Sequence, residues 1–182
     1  MLKLVEHFKP FIIIHPSTTL EEILTQLRDS QKDFAVVGDL QHPLALVSED
    51  QLTQFNYSTK KLLVECFNEL SPLLVVDGEV EILNPDYLKQ ISYRLQETNA
   101  PGLVIYQNNG VCGVVSWESI AMVLGEDNLL VGNNRIYGDP QVSVRTYICR
   151  QCAPPTYAFP RQGDTPTCPK DWLHGSMEQE SL

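Results

Sequence analysis

Leu44-Ala45-Leu46-Val47-Ser48 and Val111-Cys112-Gly113-Val114-Val115-Ser116 are two copies of one pattern, an apolar run closed by a serine. The two serines stand 68 residues apart, and the likeness extends outward at the same offset. Ala35-Val36-Val37 answers Leu103-Val104-Ile105, and Leu20, Ile23 and Leu27 answer Leu88, Ile91 and Leu95. An internal repeat fixes architecture, because each copy is a supersecondary unit that cannot bury its apolar face alone. Two copies predict an intrachain pseudo-dimer with a seam between the halves.

Around this core the local signals are consistent. Leu20, Ile23, Leu24 and Leu27 have helical spacing behind Ser17 or Thr18 as N-cap and Glu21 or Glu22, predicting a helix over 18–30. Phe34–Val37 and Leu44–Val47 read as strands joined by a turn from Gly38-Asp39 to His42-Pro43. A helix beginning after Ser48 and a partly helical connector through Cys66 and Phe67 follow. The second copy opens with a short strand at Val80–Leu83, preceded by an added strand at Leu73–Val76. A helix from Asn84-Pro85, a hairpin turning at Asn108-Asn109-Gly110, and a helix capped by Ser116 complete it. Each half is thus strand–helix–strand–strand–helix, an α/β (α+β) unit.

The predicted divisions are 1–70 for the first repeat with its connector, 71–128 for the second, a linker over 129–146, and a distinct C-terminal segment over 147–182. At 182 residues, 43% apolar and 20% charged, the chain is an ordinary globular one. The N-terminal apolar run, Phe11–Ile14, is too short for a signal core or membrane span, so the expected compartment is the cytoplasm, with no membrane partner. The net charge is −10, and residues 141–182 are balanced, so the deficit lies in residues 1–140. Neither part has the basic stripe that phosphate contacts require, which argues against nucleic acid. No nucleophile–base pair, paired-carboxylate cleft, Walker-type loop or open metal site appears, pointing away from an enzyme.

The doubled pattern, through Ser48-Glu49-Asp50-Gln51-Leu52 and Ser116-Trp117-Glu118-Ser119-Ile120, resembles a tandem CBS-domain pair, or Bateman module, over residues 10–125. The resemblance implies two repeats packed sheet against sheet, homodimerisation through the pair, and a cleft for an adenosine-type ligand such as AMP, ADP, ATP or S-adenosylmethionine. The family's motif is a glycine, two apolar residues, then Thr/Ser-x-x-Asp, the hydroxyl meeting phosphate at a helix N-terminus. Carried over, the implied ligand positions are Ser48 and Gln51 in the first copy and Gly113, Ser116 and Ser119 in the second. Ala45 stands at the first copy's glycine, and Gln51 and Ser119 replace the ribose-binding carboxylate. The serines therefore read either as ligand contacts or as helix caps alone, and the second copy is the better pocket candidate.

The C-terminal segment has few apolar residues, five prolines (Pro154, Pro155, Pro160, Pro166, Pro169) and three of the five cysteines. It needs a staple to order. Cys149-Arg150-Gln151-Cys152 is a C-x2-C knuckle, and Cys168 and His174 follow. Together they predict a closed, structural zinc site in a zinc-ribbon-like domain. Asp171 competes with His174 for the fourth position, and a disulfide or redox pair at Cys149 and Cys152 is the alternative to metal. Cys66 and Cys112 read as small buried hydrophobes. Trp172, inside the cysteine–histidine loop, is a candidate anchor for a protein partner. The functional expectation is a non-enzymatic regulatory module: a CBS pair sensing a ligand or dimerising, joined to a ribbon that docks a partner. The alternative is a ligand-free dimerisation scaffold.

Overall fold

In the computed structural model, residues 4–54, 61–77, 85–124, 145–160 and 165–180 are described. The expected strand at 80–83, residues 129–144 of the linker expected over 129–146, and Asn84 of the expected helix start lie outside them. The first repeat runs β1 (Phe11–Ile14), α1 (Leu20–Ser30), β2 (Phe34–Gly38), β3 (Pro43–Ser48) and α2 (Glu49–Gln54). A 3-10 helix, Leu63–Glu69, leads to the second repeat: β4 (Leu73–Asp77), α3 (Pro85–Thr98), β5 (Gly102–Gln107), β6 (Gly110–Ser116) and α4 (Trp117–Leu124). Three strands follow: β7 (Tyr147–Cys149), β8 (Thr156–Pro160) and β9 (Glu178–Gln179).

The helix starts are set by side chains. Thr19, one residue beyond the expected cap, accepts the Glu22 N–H while Glu22 accepts the Thr19 N–H, a closed capping box. α1 ends where Gln31 takes the left-handed conformation at φ 54°. Asn108 and Asn109, at φ 52° and 61°, supply the two positive φ values that a type I′ hairpin turn demands.

In both repeats the first strand pairs parallel with the second, and the second antiparallel with the third. The strand playing β1's part in the second repeat is therefore Leu73–Asp77, the added strand expected from the sequence. The helices obey the 68-residue offset but the first strands do not, because the β4–α3 connection is longer than the β1–α1 one. Each repeat also carries a register shift at the same place. Val37 faces Ala45 but Gly38 faces Pro43, and Ile105 faces Gly113 but Tyr106 faces Val111. Leu44 and Cys112, again 68 apart, are the residues left out of the ladders. This bulge turns Cys112 outward, so it is exposed and not a core residue, whereas Cys66 is fully buried.

Alternation along the strands builds three apolar layers. Ala35, Val37, Ala45 and Val47 face α1 and α2 with Ile23 and Leu27. Leu103, Ile105 and Val115 face α3 and α4 with Leu88 and Ile91. The opposite faces, Phe34, Val36 and Leu46 of one sheet and Leu73, Val75, Val104 and Val114 of the other, meet in the seam between repeats. The first hairpin reaches across it: Leu40 O accepts the Val111 N–H at 2.7 Å, and the Tyr106 hydroxyl donates to Gln41 O at 2.7 Å.

The C-terminal segment joins this body directly. β8 pairs parallel with β4 over five positions, from Leu73 opposite Thr156 to Asp77 opposite Pro160. The result is one six-stranded sheet in the order β6-β5-β4-β8-β7-β9. Phe159 of β8 is 1% exposed in the second repeat's core, where Tyr87 meets it edge to face and donates its hydroxyl hydrogen to Phe159 O. On the same face of β8, Arg94 of α3 lies 4.9 Å above the Tyr157 ring and pairs with Glu97 and Glu180. Phe159→Ala is accordingly expected to cost about 3–5 kcal/mol, the usual loss for a buried aromatic. Urea denaturation should show that loss in the unfolding transition of the second repeat itself, since Phe159 is part of its core.

Candidate metal centre and inter-repeat cleft

The C-terminal strands enclose a core of Tyr147, Cys149, Cys152, Ala158, Cys168 and Met177. Half of that core is thiol, too little apolar area to order a segment by burial. β7 delivers Cys149, the turn after it delivers Cys152, and Cys168 and the 3-10 turn Trp172–His174 close from the other side. Cys168 N–H donates to Gly175 O and Met177 N–H to Pro166 O, which fixes that second turn.

The ligand atoms of Cys149, Cys152, Cys168 and His174 all lie within 4.8 Å of one another, and the group can hold a metal ion. Cys152 Sγ stands 3.6 Å from Cys149 Sγ and 3.4 Å from Cys168 Sγ. His174 Nδ1 is 3.6 Å from Cys149 Sγ and 3.4 Å from Cys152 Sγ. A tetrahedron with zinc–sulfur bonds of about 2.3 Å and a zinc–nitrogen bond of about 2.0 Å has edges of about 3.8 and 3.5 Å. The spacings fit that hole, and they are far longer than the ~2.05 Å of a disulfide. The cysteines are free thiols. The Cys152 thiol's hydrogen bond holds the Cys168 thiol down at about 5, and the same contact pushes the Cys152 thiol well up. A divalent cation binds the thiolate form, so metal uptake here would release the cysteine protons.

Of the two candidates for the fourth ligand, His174 faces the sulfurs and Asp171 does not. Asp171 caps the 3-10 turn by accepting the Leu173 N–H at 2.9 Å, and its Oδ2 lies 3.9 Å from His174 Nε2. It occupies the carboxylate position behind a ligating histidine.

Of the residues aligned with the nucleotide motif, Ser48, Gln51 and Ser116 line a cleft of about 670 Å³ between the repeats, beside Trp117. Gly113 and Ser119 are not among its lining residues. The polar groups of these aligned residues are mostly committed inside the protein. Ser48 Oγ accepts the Gln51 N–H at 3.3 Å, and Ser116 Oγ accepts the Ser119 N–H at 3.1 Å, so both serines are N-caps. The Ser119 and Ser116 hydroxyls bond each other at 3.1 Å, and both residues are buried. The Gln51 amide donates to Ser71 Oγ and Asn99 O, tying α2 to the start of β4 and the end of α3. Gly113 leaves room for Phe8, whose ring atoms would lie 2.4–2.8 Å from a Cβ there. Sequence reasoning missed Phe8, because its contact with β6 is made by a segment more than a hundred residues away. The cleft walls carry the carboxylates of Asp33, Glu49, Asp50 and Glu118 against the ammonium of Lys9, with Glu49 paired to Arg28 at 2.7 Å.

Neither a protein-family model nor a curated protein matches the sequence. Solved structures do match in fold. The CBS domain of a bacterial CNNM/CorC family Mg2+ transporter, solved in complex with an inhibitor, matches with a TM-score of 0.50 at 14% identity, over 67% of this chain and 75% of that one. A CBS domain pair/ACT domain protein from Thermotoga maritima matches at 0.46 and 18% identity, over 70% and 99%. The CBS domains of a transcriptional regulator from Streptococcus pneumoniae match at 0.48 and 14%, over 67% and 98%. The fold is that of a CBS-domain pair, carrying a Cys3His cluster in a zinc-ribbon-like C-terminal segment.

Because the serines cap helices, Ser48→Ala and Ser116→Ala are each expected to cost about 0.5–2 kcal/mol. Thermal unfolding should show that loss equally with and without millimolar adenine nucleotide.

Proposed function

We propose that the protein is a non-enzymatic regulatory scaffold, in which a dimerising CBS pair holds a zinc ribbon in fixed orientation for a protein partner. The observation that carries this reading is the parallel pairing of β8 with β4, which makes ribbon and repeat one sheet. A ribbon fused in this way cannot pivot, so what it presents is set by the CBS pair. It presents Trp172 and Leu173, 73% and 70% exposed, on the turn that also delivers His174. Exposed tryptophan beside a rigid turn is a typical anchor for a partner protein. A groove of about 440 Å³ runs alongside, between Trp172, Pro166 and the hairpin turns at His42 and Asn109.

Zinc suits the donor set, since three thiolates and an imidazole make a closed site with no position for reacting water. Bound there, the metal would supply folding free energy rather than chemistry. No helix among the described residues is long and apolar enough to cross a membrane. The cytoplasm, where thiols stay reduced, fits the free cysteines.

Elemental analysis of the purified protein should find about one zinc per chain, with Cys152→Ser and His174→Ala reducing that content. Stripping the metal with a chelator should lower the melting temperature. Metal-free protein with an unchanged melting temperature would overturn the zinc assignment.

A second reading, a sensor of an adenosine-type ligand, is favoured by one observation: the cleft brings the Ser48 and Ser116 junctions to a common space. The internal bonding of Gln51 and Ser119 and the acidic walls oppose it, most strongly for phosphates. Calorimetry with AMP, ADP, ATP and S-adenosylmethionine is expected to give no saturable heat, and light scattering a dimer unchanged by any of them. Saturable binding of one would replace the scaffold with the sensor.

A further inference from the structure

Lys170 is only 8% exposed, an unusual place for an ammonium. Its Nζ donates to Pro154 O at 2.9 Å, and none of the ion pairs among the described residues includes it. A carbonyl dipole alone does not compensate a buried charge. Burial pulls the Lys170 pKa down, and Cys152, Cys168 and Cys149 each act against that pull. Its position is also particular. Pro154 follows Cys152 by two residues and Lys170 follows Cys168 by two, so the ammonium bridges the two turns that supply the thiolates.

Three thiolates around a divalent cation leave one negative charge, in a pocket whose three cysteines are all buried. We propose that Lys170 is the built-in countercation of the Cys3His centre, rendering the metal-loaded site electrically neutral and thereby setting its preference for a divalent ion. The role is that of a positioning residue, and it rests on the metal reading above. A neutral buried cluster avoids the penalty of an uncompensated interior charge. It also moderates the thiolates as nucleophiles, because their charge is shared with both the metal and the ammonium.

The test is zinc affinity of the full chain, measured by competition with a chelator of known affinity. Lys170→Gln keeps a donor for Pro154 O but removes the charge, and is expected to bind zinc about 10–100-fold more weakly, the usual effect of losing an outer-shell partner. Lys170→Arg keeps the charge and is expected to stay within about threefold of the wild type. With cobalt in place of zinc, the sulfur-to-metal charge-transfer band of Lys170→Gln should move to longer wavelength, since uncompensated thiolates are better electron donors. The Lys170→Arg band should not move. A purely mechanical clip would leave that band in place, so wild-type affinity and an unmoved band in Lys170→Gln overturn the proposal. A loss of tenfold or more in Lys170→Arg overturns it as well, even if Lys170→Gln does not fold. Wild-type protein that takes up no metal would instead refute the metal reading itself.

Discussion

The strand Leu73–Asp77 is satisfied on all four sides, and the rest of the molecule is arranged around it. Leu73 and Val75 fill the seam between the repeats, while Leu74 and Val76 fill the core beneath α3 and α4. Along its two edges run β5 and β8, both parallel to it. A strand buried on both faces and paired on both edges must be apolar at every position. Leu73-Leu74-Val75-Val76 is such a run. Through this strand the two repeats and the cysteine-rich segment become one packed unit.

Much of this architecture is legible in the sequence, for a physical reason. Helices and hairpins are local, so their periodicity, caps and turn residues are written where they act. The 68-residue offset correctly matches Leu20, Ile23 and Leu27 with Leu88, Ile91 and Leu95, which fill equivalent cores. It does not carry β1 onto β4, because the offset assumes connections of equal length and the one before α3 is longer. It also hides the bulges at Leu44 and Cys112, since alternation alone puts Cys112 inside. The union of β8 with β4 has no local signature, because parallel partners are joined only by long crossovers. The Cys149, Cys152, Cys168 and His174 set could be picked out from spacing, as a tetrahedral site demands close pairs of donors, and the fold brings His174, not Asp171, up to the sulfurs.

The same comparison explains the condition of the inter-repeat cleft. Gln51 and Ser119 stand where the family motif has a carboxylate, and each has been drawn into bonds within the protein. Phe8 lies where Gly113 leaves space. Several small commitments thus spend these polar groups on cohesion within the CBS-type pair. The chain's distinctive chemistry lies at the cysteine–histidine cluster, where core and donor set are nearly the same residues.

The β4–β8 pairing also bears on how the chain is made. β4 leaves the ribosome some 80 residues before β8 does. At typical synthesis speeds its outer edge therefore waits roughly 4–16 s for its partner. Throughout that interval Leu73-Leu74-Val75-Val76 presents an open, apolar strand edge, the kind that templates wrong pairing. The nascent chain is thus most vulnerable before β8 emerges, when both repeats have been made and β4 still lacks its second neighbour. A sheet whose inner strand is completed by a segment some 80 residues downstream couples quality control of the repeats to the emergence of that segment.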